Sequence, residues 1–361
     1  MRDLVVVAPD PRFGGGSEAH VQALVEAAAA LGREPEVVFV PHPTLRPGEP
    51  RSALDRIEPL RLLRGSRALL PAVREAQTVW VAGPLAMHGW AALRADRRYG
   101  CWAGTSLADE WRGRAQGLRL SRRLAQRANA PALEWLERRV LRGASRLYAT
   151  GAGSRAAIAH AAGLPADRVG VLPLPVDADR FVPLADDDWR ARLTRPALAF
   201  LGRADDPRKN LPLALEALPL IRERFPAATL RVIGAGRVPA AEGVEALGHV
   251  PSVAEPLREC ALLLLPARQE GFGIAAAEAL ACGVPVVATP SGGPEELLRA
   301  SGGGVVTAGW SAAELAAAAT SLLEDADTLT AMRRRGRDHV VREHSPARLR
   351  ELLAAALADL D

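Results

Sequence analysis

Short apolar runs recur along this chain, and each is followed by a glycine-rich or polar loop and then by a helical pattern. The first run, residues 4–8, is mostly valine, which is typical of a parallel strand buried on both faces. A glycine loop at 14–18 follows, then an apolar-periodic helix over 20–31 and a second strand over 36–40. This order predicts a β-loop-α-β unit, the beginning of a doubly wound α/β fold.

The alternation occurs twice, which fits the roughly two domains expected of 361 residues. A first series continues with strands at 78–82, 146–150 and 169–172, and a second begins at residue 197. The second has strands at 197–201, 229–234, 261–265 and 284–288, with helices over 212–225 and 274–282. Proline and acidic residues cluster between the two series, which indicates a linker. We predict two Rossmann-like domains facing each other across a cleft: an N-terminal domain over 1–182, a linker over 183–196 and a C-terminal domain over 197–345. The last helix, 346–361, is expected to pack back toward the N-terminal domain.

The charge is divided unevenly between the two halves. Residues 1–183 have 26 arginines and 18 acidic residues, net +8, whereas the remainder has 20 basic and 24 acidic residues, net −4. Ten arginines lie between Arg112 and Arg146, where the only acids are Glu134 and Glu137. Such a patch suits an anionic partner, and we predict peripheral membrane association through it; a solvated helix face explains it equally well. No nucleic-acid partner is expected, because the nearby aromatic residues are not interleaved for base stacking.

A single lysine stands out in a chain whose other 45 basic residues are all arginine. Lys209 is followed by Asn210, one of only two asparagines, in a segment that leaves the predicted strand 197–201. Arg203 leaves the same strand tip, where ligands bind in open α/β sheets. Two cations that reach one point suit a diphosphate. The alternative is a surface salt-bridge cluster with Asp205 and Asp206.

A second segment, 269–289, places two glutamates around a glycine loop and a helix start. Glu270 precedes Gly271-Phe272-Gly273, and Glu278 lies about a turn into the helix that follows. Glycines let backbone amides approach a ligand, and unpaired N–H groups at a helix start suit an anion. Glu278 stands among small apolar residues, where a carboxylate needs hydrogen-bond partners. A ribose with two hydroxyls would supply them.

Together with Gly14-Gly15-Gly16-Ser17-Glu18, these two segments resemble the retaining glycosyltransferases of family 4, which have a GT-B fold. Further matches are Val232-Ile233-Gly234-Ala235-Gly236, Leu247-Gly248-His249-Val250, Pro175-Val176-Asp177-Ala178-Asp179-Arg180-Phe181 and Ser291-Gly292-Gly293-Pro294-Glu295. The order and spacing of the motifs carry the resemblance, most specifically over 198–298.

The resemblance implies a metal-independent enzyme that moves a sugar from a UDP- or GDP-linked donor to an acceptor hydroxyl with retention. The acceptor would be a glycan, a lipid or a small molecule in cell-envelope glycan, glycolipid or natural-product biosynthesis. By similarity, Arg203 and Lys209 would stabilise the departing diphosphate and Glu278 would hold the ribose. Glu270 with the glycine loop would hold the sugar, and it is grouped with the catalytic residues without being assigned as a nucleophile. The Gly15–Gly16 backbone would contact the distal phosphate. The predicted donor-binding residues are Gly15, Gly16, Arg203, Lys209, Gly234, Val250, Glu270, Gly271, Phe272, Gly273, Ile274 and Glu278, with no metal ligand and no cofactor besides the donor substrate.

One departure from the family concerns the strand end at Ala103-Gly104-Thr105-Ser106. Family members often have a histidine there, and this chain has none. Either Thr105 or Ser106 contacts the donor sugar, or that contact is absent. His20, near the first glycine loop, is the one histidine of interest, and a helix-start residue is the simpler interpretation.

Two other functions stay open beside transfer. A sugar-nucleotide epimerase shares this architecture, and a non-catalytic protein that binds a sugar nucleotide or an anionic surface would lack turnover. A metal-dependent transferase would use an Asp-x-Asp pair, and Asp177/Asp179, Asp186/Asp188 and Asp325/Asp327 match that short pattern. The first of these lies in a proline-flanked stretch, so the linker interpretation is favoured.

Three cysteines without metal-type spacing and no secretory signal predict a cytoplasmic protein, at most peripheral at the inner face of the membrane.

Overall fold

A computed structural model describes residues 2–10, 16–40, 57–114 and 120–361, which form two compact units. One unit comprises Met1–Pro175 together with Pro346–Asp361, and the other comprises Val176–Ser345.

The first unit is built on a six-stranded parallel sheet in the order β2-β1-β3-β4-β5-β6. Its strands are β1 (Arg2–Pro9), β2 (Pro35–Val40), β3 (Ala76–Gly83), β4 (Tyr99–Ala103), β5 (Arg146–Ala149) and β6 (Val169–Val171). The central strands β3 and β4 contribute Trp80, Tyr99 and Trp102, which are almost fully buried. Such burial is expected for strands of a parallel sheet that is covered by helices on both faces.

Eight α-helices lie within the described residues of this unit. They are α1 (Gly16–Ala30), α2 (Glu58–Ala68), α3 (Leu70–Arg74), α4 (Trp90–Arg94), α5 (Leu107–Arg114), α6 (Leu120–Gly143), α7 (Ala152–Ala162) and the chain-terminal α15 (Pro346–Ala358). Residues beyond α15 are tied to the sheet, since Asp361 pairs with Arg33 at 2.9 Å and Asp359 pairs with Arg146 at 2.9 Å. The last helix is therefore part of the first unit.

The second unit has its own six-stranded parallel sheet, in the order β12-β11-β10-β7-β8-β9. Its strands are β7 (Ala197–Leu201), β8 (Thr229–Ile233), β9 (Val244–Gly248), β10 (Leu262–Leu265), β11 (Val286–Ala288) and β12 (Gly304–Val306). Its helices are α8 (Asp186–Ala191), α9 (Leu211–Arg224), α10 (Ala254–Arg258), α11 (Ile274–Ala281), α12 (Gly293–Ser301), α13 (Ala312–Leu323) and α14 (Ala326–Glu343).

The segment predicted as a linker, 183–196, folds as part of the second unit, and the boundary falls earlier, after Pro175. Trp189 of α8 is fully buried, and its indole N–H donates to the Cys260 carbonyl at 3.1 Å. The Arg333 guanidinium lies 4.3 Å from the centre of the Trp189 ring. The acids at 186–188, which suggested a solvated linker, form the first turn of α8, where negative charge suits the helix dipole.

Two strands were not predicted, β9 and β12, and β4 was indicated only by its end at Ala103, which the family resemblance implies. β9 and β12 are the edge strands of the second sheet and neither has a buried residue, so neither has an apolar run to indicate it. None of the helices in the described ranges has the length and apolarity to cross a membrane.

Candidate functional site

The predicted site residues collect where the strand order of the second sheet reverses. β7 pairs with β8 on one side and with β10 on the other, so successive connections leave in opposite directions. The segments with the lone lysine and with Glu270 follow β7 and β10 respectively. In open α/β sheets the crevice beyond the carboxyl ends of such strands is where ligands bind.

Gly234 is a glycine because two strand ends approach closely. The Gly202 N–H donates to Ile233 at 2.9 Å, and a Cβ added to Gly234 would lie 2.1 Å from the Gly202 carbonyl oxygen. Gly234 also has a φ of +139°, which L side chains rarely adopt. The glycine therefore has a packing role whether or not it also contacts a donor.

Asn210 joins the two strand exits that form the site. Its backbone is left-handed, with a φ of 55°, at the start of α9. Its buried side-chain amide donates to the Pro266 carbonyl just beyond β10, at 3.1 Å. Asparagine tolerates this conformation better than most residues. The presence of one of the two asparagines of the chain at this position thus has a structural explanation.

Lys209 and Glu270 form an ion pair with each other. The Lys209 ammonium donates to a Glu270 carboxylate oxygen, and the two side chains are 21% and 12% exposed. The structure therefore brings two of the three predicted catalytic residues into direct contact. An ammonium group has three donors, so the pairing leaves capacity for a further anionic ligand.

Arg203 occupies a different environment from Lys209. Its side chain is 61% exposed, and its Nε lies 3.9 Å from the Asp205 carboxylate. Asp206, the other acid of this loop, is instead bound by Arg208 at 2.8 Å. The salt-bridge cluster considered from the sequence thus forms in part, and Arg203 has the looser pairing.

The Glu270–Gly273 loop is held by the segment that follows β11. The Glu270 N–H donates to Ser291 at 2.8 Å, and the Gly293 N–H donates back to the Glu270 carbonyl at 3.1 Å. The ring of Phe272 packs 5.2 Å from that of His344. Gly273 begins α11 at a φ of +84°, and a Cβ there would approach the Pro294 ring to 2.6 Å. The loop backbone therefore needs glycine at this position.

Glu278 lies on α11 among buried alanines and leucine. Burial raises the pKa of its carboxyl from 4.5 to about 7, opposed by the positive charges of Arg180 and Lys209. Within the described residues this carboxylate accepts no hydrogen bond from the protein. A partly exposed carboxylate in an apolar helix without a protein partner suits a ligand that brings its own hydroxyl donors.

The remaining predicted donor residues lie in other segments of the chain. Val250 lies beyond β9, and Ile274 is the first residue of α11. Gly16 is the first residue of α1 in the first unit, and Gly15 lies outside the described residues.

The strand end that lacks the expected histidine is in the first unit. His20 packs edge-on against Trp102, with ring centres 4.0 Å apart, and is only 2% exposed. Burial lowers the pKa of His20 to about 3, and its Nε2 has no hydrogen-bond partner among the described residues. Ser106 caps α5: its hydroxyl donates to the Asp109 carboxylate at 2.8 Å and accepts from the Asp109 N–H at 3.3 Å. Thr105 is buried, and its N–H donates to Pro84 at 2.9 Å.

The Asp-x-Asp patterns have structural uses. Asp177 accepts from the N–H groups of Asp179 and Arg180, at 3.0 and 3.2 Å, so its carboxylate closes a turn. Asp186 binds Arg334, and Asp325 caps α14 through the Thr328 N–H at 2.9 Å. Over the ranges that the structure describes, no three His, Cys, Asp or Glu side chains are grouped so as to hold a metal ion.

Sequence reasoning assigned no role to Arg180, whose charge acts on Glu278, or to Arg337, which binds the end of the same helix. Arg337 donates to the carbonyl of Ala281, at the end of α11. Arg180 stands in the 175–181 segment that matches the family. Its charge beside a carboxylate could not be found without the folded chain.

Comparison with known families gives two matches that together cover most of the chain. The model described as Glycosyltransferase Family 4 matches residues 14–180, and that described as Glycosyl transferases group 1 matches residues 195–325. A GDP-mannose-dependent alpha-(1-6)-phosphatidylinositol monomannoside mannosyltransferase of Mycobacterium tuberculosis is 31% identical, over 95% of this chain and 86% of its own length. A D-inositol 3-phosphate glycosyltransferase of Arthrobacter is 28% identical, over 89% of this chain and 84% of its own length.

Solved structures are similar over the whole chain. Sucrose-phosphate synthase of Thermosynechococcus elongatus superposes with a TM-score of 0.76 at 18% identity, covering 100% of this chain and 99% of that one. WaaG, a glycosyltransferase involved in lipopolysaccharide biosynthesis, gives a TM-score of 0.73 at 19% identity, with 99% of each chain covered. Anabaena HepE in complex with UDP gives 0.71 at 18% identity, with 100% of each chain covered. At these identities the likeness concerns the fold.

Proposed function

Because the chain belongs to glycosyltransferase family 4, and is thus a glycosyltransferase with the GT-B fold, we propose that it transfers a sugar from a nucleoside-diphosphate sugar to an acceptor hydroxyl. In this proposal the anomeric configuration is retained and no metal ion takes part. One observation carries it: Glu278, which accepts no hydrogen bond from the described residues, lies on the helix that follows the Glu270 loop, and Glu270 is paired with Lys209. A carboxylate for a ribose and a cation for a diphosphate are the two groups that a nucleoside diphosphate needs.

The protein cations would take the place of a metal in stabilising the leaving group. A unit charge pair at 4 Å is worth about 4 kcal/mol gross at intermediate dielectric, compared with about 0.3–1 kcal/mol for an exposed helix terminus. Lys209 is the stronger contributor because it is mostly buried, whereas Arg203 is 61% exposed and screened by water. Lys209 can keep Glu270 as one acceptor while it donates to a phosphate oxygen.

Glu270 would act on the sugar by position. Its carboxylate is held by Lys209 and its backbone by the 291–293 segment, so it can accept a sugar hydroxyl from a fixed place. The acceptor hydroxyl would attack the face from which the diphosphate leaves, and the departing phosphate would take the proton. The Gly15–Gly16 contact with the distal phosphate stays a prediction.

The names of the relatives suggest substrates to test first. One is named GDP-mannose-dependent, and both names include inositol with a phosphate or phosphatidyl group. We therefore favour a GDP-linked over a UDP-linked donor, and an acceptor with a phosphorylated inositol. Family membership favours transfer over the epimerase and binding-protein alternatives.

Association with an anionic membrane is the second part of the proposal, and α6 supplies its surface. Leu124 and Trp135 on this helix are 56% and 54% exposed. Together with the exposed Ala128 and Pro131 they recur at spacings of four, three and four, so they form one apolar stripe.

Arginines border this stripe on both sides. The exposed arginines on the described part of α6 next to the stripe are Arg127, Arg138, Arg139 and Arg142. The Arg139 guanidinium lies 5.8 Å from the centre of the Trp135 ring. An apolar stripe between arginines is the pattern of a helix that lies in the interface of an anionic bilayer, at the inner face if the chain is cytoplasmic.

The donor proposal is tested by calorimetric titration of the full chain with GDP, UDP and ADP, each in EDTA. Binding of one nucleoside diphosphate without metal is expected, and binding only after Mg²⁺ or Mn²⁺ is restored would contradict metal independence. Incubation of the matching mannosyl or glucosyl donor with phosphatidylinositol mannoside and with inositol phosphate then tests transfer, and NMR of the product tests retention. Nucleotide binding without transfer or donor hydrolysis would favour a non-catalytic protein.

The membrane proposal is tested by co-sedimentation with phosphatidylglycerol-containing vesicles and with phosphatidylcholine vesicles. We expect binding to the anionic vesicles at low salt and its loss in the Leu124→Ser/Trp135→Ser variant. No binding at low ionic strength, or equal binding by the variant, would overturn the role of α6.

A further inference from the structure

A turn that follows the first unit boundary is fastened to the helix that bears Glu278. The turn spans 177–181, and Arg337 donates to the carbonyls of Ala178 at 3.3 Å and Phe181 at 2.7 Å. The same guanidinium donates to Ala281, the last residue of α11. Because one rigid group binds both elements, the turn and the helix keep a fixed relation to each other.

Arg180 projects from this turn toward the loop beyond β9. Its Nη2 lies 3.5 Å from the Pro251 carbonyl, and its guanidinium lies 5.4 Å from the centre of the Phe181 ring. The residue is exposed, and among the described residues it has no ion-pair partner. A contact of 3.5 Å is too long to hold the turn, which Arg337 already holds. The turn therefore does not depend on Arg180, whose positive charge also helps to lower the pKa of the Glu255 carboxyl.

Two further neighbours of the Arg180 guanidinium bear on its role toward a donor. On one side is Glu278, whose pKa the positive charge of Arg180 lowers against the effect of burial. On the other side is the loop that includes Val250 and Pro251. If Glu278 holds the ribose, the base attached to that ribose extends into the region that Arg180 borders.

We propose that Arg180 contacts the nucleobase of the donor and selects guanine; this inference rests on the proposed function. Guanine presents two adjacent acceptors, O6 and N7, which match the two parallel N–H groups of an arginine. Uracil offers O4 with no second acceptor beside it on that edge. Adenine places its N6 amino donor next to N7, where it would oppose the guanidinium. The order of affinity follows as GDP, then UDP, then ADP.

The test is calorimetric titration of the full chain, in EDTA, with GDP, 7-deaza-GDP, UDP and ADP. Wild type is compared with Arg180→Gln and with Arg299→Gln, which removes an exposed arginine of α12. We expect Arg180→Gln to lower the affinity for GDP by about tenfold or more, which is the range of one bidentate arginine–guanine contact. The affinity for UDP should change by less than about threefold. The loss of N7 in 7-deaza-GDP should weaken binding to wild type and to Arg299→Gln but not to Arg180→Gln. Thermal melting checks that each variant is folded.

The outcomes separate the two proposals. If Arg180→Gln selectively loses affinity for GDP and binds GDP and 7-deaza-GDP equally well, the assignment of Arg180 is supported. If the variant loses affinity for GDP and UDP equally, or loses none, base selection by Arg180 is overturned and donor binding is unaffected. If wild type binds none of the four nucleotides, the proposed function itself fails.

Discussion

Replacing Glu278 by glutamine should stabilise the protein at alkaline pH and weaken its binding of nucleotides. Burial on α11 raises the pKa of this carboxyl to about 7, compared with 4.5 in an unfolded chain. Between these two values the folded chain keeps a proton that the unfolded chain releases, so stability falls as pH rises from about 4.5 to about 7. The pKa difference corresponds to about 3 kcal/mol of stability lost above pH 7.

Glutamine has nearly the same shape and no charge, so the variant avoids this loss. Urea and thermal unfolding of wild type and Glu278→Gln, from pH 5 to pH 8.5, should give curves that are close at pH 5 and diverge above it. The variant should be the more stable protein at pH 8, by up to about 3 kcal/mol. Glu223→Gln, at an exposed position of α9, is the matched control and should show no divergence.

The same substitution tests the ribose assignment. Ribose hydroxyls donate best to a charged carboxylate, so wild-type affinity for GDP should fall as pH drops below about 7 while Glu278→Gln binds weakly and with a flatter profile. If the variant is no more stable than wild type at pH 8, the argument from burial is refuted. If it also binds GDP as well as wild type at every pH, the ribose assignment falls with it.

Two further changes address the ion pair and the strand exits. Lys209→Met should lower the transfer rate by at least about a hundredfold and destabilise the fold, because it leaves the Glu270 carboxylate unpaired. The double variant Lys209→Met/Glu270→Gln should regain stability but not activity. An active double variant would exclude a role for the ammonium. Gly234→Ala should lower the free energy of unfolding in urea by more than about 2 kcal/mol, because its Cβ would lie 2.1 Å from the Gly202 carbonyl oxygen. Gly248→Ala is the control: a Cβ there has nothing within 4 Å and the φ is +66°, so the loss should be only about 1 kcal/mol. Equal losses would argue against the clash.

Much of the fold could be predicted because buried parallel strands are visible as apolar runs. β1, β7 and β10 were identified in this way, and the predicted GT-B fold and enzyme class are confirmed. The edge strands β9 and β12 were missed because neither has a buried residue, so neither is visible as an apolar run. The stretch 183–196 was misjudged because the acids that begin α8 look the same in sequence as those of a solvated linker.

The site was predicted as a set of residues but not as a set of contacts. Motif order placed Lys209 and Glu270 in the segments that leave two strands and Glu278 in the helix after Glu270, and the structure has them there. That Lys209 and Glu270 pair with each other depends on two loops that are 61 residues apart in sequence, which no local pattern encodes. Similarly, Ser106 was a candidate for contact with the sugar, and its hydroxyl caps α5. The roles of these residues toward a donor stay predictions.

A chain with a single lysine has a natural spectroscopic label at that lysine. Selective incorporation of lysine labelled with ¹⁵N at the side-chain amine leaves all three N–H donors in place, so the NMR spectrum would contain one side-chain ammonium resonance, from Lys209. Because this amine is held against Glu270, its chemical shift would differ from that of a solvated lysine. Titration of a donor would then be read at the ion pair itself, and the exchange regime of that one resonance would give the residence time of the ligand.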